Sequence, residues 1–101
     1  MEKIYVMGDM HTVSAFRLAG VEGRVVAPDG ASGMLEEILR RKDAAVLLIT
    51  NELAAGLAER ITDINLNQPS PVILEIPGID DTSGFRGSVM GYVEEALGIS
   101  L

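Results

Sequence analysis

Four short apolar runs, rich in β-branched or large aliphatic residues, recur along the chain at 4–7, 24–27, 45–49 and 72–76. Segments with helical spacing separate them. This alternation confines the chain to a β-α-β-α-β-α-β-α order, which implies a parallel sheet with right-handed crossovers. The first and third runs are almost wholly apolar, as strands covered on both faces require. The second opens on Arg24, which suits an edge. The expected fold is α/β: a four-stranded parallel sheet in the order 2-1-3-4, a three-layer sandwich of the flavodoxin or receiver type, with a C-terminal helix.

The spacing predicts a first helix over 11–19, capped by Asp9 or Thr12, with Val13 and Phe16 on one face and Gly20 as a left-handed stop. A second helix is expected over 31–41, burying Leu35, Ile38 and Leu39. In it Glu36 and Glu37 precede Arg40 and Arg41 by four residues, the favourable order for exposed ion pairs. A single third helix is expected over 51–66, with Leu53, Leu57, Ile61 and Ile64 on one stripe and Gly56 weakening its middle. A last helix is expected over 88–97, where Val89, Tyr92, Val93, Ala96 and Leu97 are apolar. The loop before it reads GIDDTSGFRG, with three glycines and two adjacent aspartates. The chain thus divides into a core domain (1–77), a mobile loop (78–87) and a C-terminal helix and tail (88–101).

Charge and chemistry narrow the function. The 101 residues carry 8 Lys+Arg against 15 Asp+Glu, a formal net charge of -7. A binder of nucleic-acid phosphates needs a basic face, so no nucleic-acid partner is expected. The absence of cysteine removes disulfides, thiolate metal sites and cysteine nucleophiles. The longest strictly apolar run, 44–49, is too short to insert in a bilayer, and the N-terminus does not read as a signal peptide. A cytoplasmic chain is expected.

In an open parallel sheet, ligands gather where strand order reverses, beyond the carboxyl ends of the first and third strands. Gly8, Asp9, Met10, His11 and Thr12 would meet Thr50, Asn51 and Glu52 there. A phospho-accepting receiver domain would need an acidic pair, a further aspartate and a lysine; here Asp9 stands alone. No Gly-x-Gly-x-x-Gly or Walker pattern occurs. Asp9 is therefore read as a helix cap, His11 as an ordinary first-turn residue and Glu75 as a solvated edge residue. No catalytic residue, cofactor or metal site is assigned. An apolar final strand at the edge must be covered, and a short final helix containing Gly91 must dock on its own sheet or on another chain. Both favour an interaction protein over an enzyme.

Gly8-Asp9, Thr12 and Phe16-Arg17-Leu18-Ala19-Gly20 resemble the G-D-x-x-T and G-F-R-L-A-G opening of the F subunits of V/A-type rotary ATPases, with Ala15 in place of the glycine before the phenylalanine. Leu48-Ile49-Thr50-Asn51-Glu52 resembles that family's L-I-T-E segment, and residues 71–77 are similar to its P-x-I-x-E-I-P strand. Residues 88–101 are similar to its closing helix and G-I/V-x-L tail. The resemblance implies a non-catalytic central-rotor subunit, peripheral to the membrane. It implies binding to the D subunit, the coiled-coil shaft, inside the catalytic ring of A and B subunits, and a part in coupling ATP synthesis or hydrolysis to ion transport. With the apolar stripe of the last helix, it points to Phe85, Arg86, Val89, Val93 and Leu97 as partner-binding residues. Two alternatives are a receiver-like regulatory domain without a phosphorylation site and a small anion- or nucleotide-binding protein using 8–12.

Overall fold

A computed structural model describes residues 2–78. Among these, four strands form one all-parallel sheet: β1 (Lys3–Gly8), β2 (Glu22–Val25), β3 (Ala44–Thr50) and β4 (Val72–Ile76), in the order β2-β1-β3-β4. The helices are α1 (Met10–Leu18), α2 (Ala31–Arg41), α3 (Asn51–Ala54) and α4 (Ala58–Asn67), with a 3-10 turn at Pro28–Gly30. The α/β class and the 2-1-3-4 order agree with the sequence reading.

Alternate strand residues point to opposite faces. Tyr5, Met7, Leu47, Ile49 and Ile73 face one side, where they pack with Leu35 and Ile38 of α2, Leu53 of α3, and Ile61 and Ile64 of α4. Val6 and Ile76 face the other side and pack with Val13 of α1, flanked by Phe16, Val21 and Leu48. That second side is more open: Ile4, Val72 and Leu74 stay about half exposed there.

Local chemistry sets the element ends. Asp9 caps α1, which begins one residue before its expected start, and Gly20 takes φ +87° behind it. Helix α2 has the expected bounds and ends on Lys42 in the left-handed region, φ 55°. Strand β2 lies two residues earlier than the apolar run suggests. Gly23 is what admits it: any Cβ there would collide with Val13 Cγ1 and lie 2.7 Å from Arg17 Nε, so α1 can sit directly on the backbone of β2. Val26 still donates its N–H to the Gly8 carbonyl at 3.1 Å, and Pro28 opens the turn soon after.

One further expectation is corrected and another extended. The single helix over 51–66 is two helices, broken at 55–57 around Gly56. Glycine lowers the cost of leaving the helix there. Both pieces still bury their share of the stripe, with Leu53, Ile61 and Ile64 in the core and Leu57 packed against it. The Glu36 carboxylate feels the charge of Arg40 within α2, as the spacing implies, but its strongest contact lies outside that helix. It receives Nε and Nη2 of Arg60 from α4, each at 2.9 Å, while Arg60 Nη1 also reaches Asp63 at 2.9 Å. The bidentate pair ties α2 to α4 and holds the Glu36 carboxyl below its usual range.

Candidate functional site

The reversal of strand order between β1 and β3 brings Gly8, Asp9 and Thr12 to the same end of the sheet as Thr50 and Asn51. The crevice is tightly packed. A Cβ on Gly8 would lie 2.6 Å from Thr50 Cγ2, so the two strand ends meet through a methyl group and bare backbone. Thr50 and Thr12 are both buried. Past β4 the chain returns over this end: a Cβ on Gly78 would lie 3.6 Å from Asp9 Oδ1 and 3.7 Å from Thr12 Oγ1.

Asp9 is committed to Thr12. Its Oδ2 accepts the Thr12 N–H at 3.1 Å and its Oδ1 accepts the Thr12 hydroxyl at 2.7 Å. Burial alone would push this carboxyl up. The two Thr12 contacts, its own amide and the charge of nearby His11 outweigh burial and hold it below the usual carboxylate value. A carboxylate so occupied fits the capping role read from the sequence. His11 sits exposed in the first turn of α1.

The opposite end of the sheet carries a second polar cluster that no sequence motif marks. Tyr5 is fully buried, and its hydroxyl donates to Asp43 Oδ1 at 2.7 Å. Burial and the adjacent Asp43 carboxylate push the phenol up. Lys3 stands 3.7 Å from the same carboxylate, and the Arg24 guanidinium lies 5.3 Å from the Tyr5 ring centroid. This arrangement pins the start of β1 to the start of β3. Among the described residues, no three His, Cys, Asp or Glu side chains gather as a metal site requires. No described helix is long and apolar enough to cross a membrane.

The geometry thus offers a scaffold whose usual ligand crevice is packed with its own chain. A family model, the ATP synthase (F/14-kDa) subunit, matches residues 4–93. The chain belongs to this family. The F subunit of the A-type ATP synthase of Pyrococcus abyssi is 37% identical over 107 residues, covering 98% of this chain and 97% of the relative. Its counterpart in Thermococcus kodakarensis is 32% identical over 105 residues, with 98% and 97% covered. The F subunit of the V-type ATP synthase of Clostridium botulinum is 28% identical over 101 residues, with 99% and 97% covered. As a member of this family, the protein is one of the several subunits of an ATP synthase and has protein partners there. The residues proposed from sequence as partner-binding, Phe85, Arg86, Val89, Val93 and Leu97, lie outside the described residues, as do the end of the expected loop and the final helix.

Proposed function

We propose that this chain is a non-catalytic subunit of the central rotor of a V/A-type ATP synthase. In this reading it binds the coiled-coil shaft and helps couple ATP synthesis or hydrolysis to ion transport. Family membership across residues 4–93 is the observation that carries the reading. The packed strand-end crevice supports its non-catalytic part. At Gly8 the approach is filled by Thr50, and Asp9 is spent on Thr12, so a phosphate would find neither room nor a free donor array.

Partner contact then falls to side-chain surfaces. The sequence places an apolar stripe of Val89, Val93 and Leu97 after the core, with Phe85 and Arg86 beside it. In this reading that stripe meets the shaft. Co-purification with a long coiled-coil protein is the test of the rotor assignment, and failure to form a stable pair with it would reject it. Calorimetric titration with Mg-ATP tests the non-catalytic part. The expected result is no measurable heat of binding; a micromolar site removed by Asp9→Ala would favour the anion-binding alternative.

A further inference from the structure

An apolar strand at the margin of a sheet offers unpaired N–H and C=O groups to any other extended chain. Among the described residues strand β4 is such a margin, since β3 alone pairs with it, on one side. On its free side stands Asn65 of α4. The Asn65 carboxamide donates from Nδ2 to the Ile73 carbonyl at 3.0 Å and accepts the Ile73 N–H on Oδ1 at 2.8 Å. A carboxamide carries the same donor and acceptor as a peptide group. Asn65 therefore does at Ile73 what a residue of a fifth strand would do.

Both partners are held in place. Ile61 and Ile64 anchor α4 in the core beside Asn65, and the Ile73 side chain is itself buried. The rest of the edge follows the same logic. Backbone groups alternate along a strand, so if those of Ile73 face outward, those of residues 71, 75 and 77 do too. Residues 71 and 77 are prolines, which have no N–H to offer. Residue 75 is the exposed Glu75, whose charge opposes apolar stacking on that side.

We infer that Asn65, with Pro71, Pro77 and Glu75, closes the β4 edge against strand addition, so that neither a second copy of this chain nor an extended partner segment continues the sheet. The inference is independent of the rotor assignment. It leaves the half-exposed Val72 and Leu74 side chains available, because these project from the face of the sheet rather than its edge.

Amide hydrogen exchange on the full-length chain tests the cap, and sedimentation velocity tests its consequence. In the wild type the Ile73 amide is expected to be protected like an internal ladder amide; exchange at the rate of a free peptide would overturn the inference. In Asn65→Ala that amide should exchange about tenfold faster or more, the effect of losing one hydrogen bond. In Asn65→Ala/Glu75→Thr the opened edge should produce concentration-dependent dimers or larger species beyond those of the wild type. A folded double variant whose association matches the wild type sinks the edge-closing role. Should the alanine variants fail to fold, Asn65→Leu carries the same readouts, because it keeps the size but loses both the acceptor and the donor to Ile73. If that variant also fails to fold, the wild-type exchange rate decides.

Discussion

At the head of α1, one carboxylate accepts both the amide and the hydroxyl of Thr12. Replacing a capping aspartate by alanine costs about 0.5–2 kcal/mol, so Asp9→Ala should lose stability in that range. The pH dependence has a definite sign. The folded pKa of Asp9 lies below its unfolded value, so its contribution is fully present above about pH 4 and fades as pH falls through the lower, folded value. Urea melts of wild type and Asp9→Ala should therefore differ at pH 6 and converge toward pH 2; an equal gap at both pH values would mean the cap acts without its charge. A second residue-scale expectation concerns backbone strain. Lys42 closes α2 at φ 55°, where a Cβ costs roughly 1–2 kcal/mol. Lys42→Gly should relieve that strain and gain about 0.5–1 kcal/mol after the added freedom of the unfolded chain. Gly20, at φ +87° with open space around it, gives the converse: Gly20→Ala should cost about 1 kcal/mol with nothing for the new methyl to strike. Chemical denaturation of the two variants reads both signs.

The contact between α1 and β2 rests on the missing side chain of Gly23. In Gly23→Ala the new methyl meets Val13, which is fully buried and cannot yield, while Arg17 can swing away. Overpacking of this kind typically costs about 1–3 kcal/mol. The expected product is a folded but destabilised chain, with thermal melting as the measure and restoration by the double variant Gly23→Ala/Val13→Ala as the check on cause. Gly23 also shows where sequence reading of elements fails. The apolar run 24–27 points to the wrong register because the decisive signal is a glycine under a helix, and a periodicity count gives glycine no weight. Strand β4 reads with its correct bounds because Pro71 and Pro77 fence it, and the 31–41 helix because its stripe is strongly periodic. Asp9 is legible as a cap because capping is a local interaction over three residues. The Asn65–Ile73 and Glu36–Arg60 contacts join residues 8 and 24 positions apart. No spacing rule within a single helix or strand anticipates them; they exist only once α2, α4 and β4 have been laid against one sheet.

For the whole molecule, residues within 2–78 supply hydrophobic clusters on both faces of the sheet. In the proposed reading residues 84–101 serve the partner rather than the core. Val89, Val93 and Leu97 recur every four residues, so as a helix they would line one stripe. Burying three such side chains is worth about 5–8 kcal/mol as an upper value, reduced by ordering of the preceding loop and by Gly91. That is enough to matter for binding a shaft. Removing residues from Gly84 onward should accordingly leave the circular dichroism and melting of the core nearly unchanged while severely weakening binding to the coiled-coil shaft. Val93→Asp should act in the same direction in the full chain, because a charge carried into a desolvated contact is costly. Loss of the cooperative melt on truncation would show instead that residues 84–101 complete the core, where the half-exposed Ile4, Val72 and Leu74 would be their natural seat. Full-strength binding by a folded truncated chain would move the shaft contact onto residues 2–83. The β4 edge, capped by Asn65 and fenced by two prolines, would be an unsuitable place for it, and the exposed face carrying Val72 and Leu74 would be the surface to mutate next.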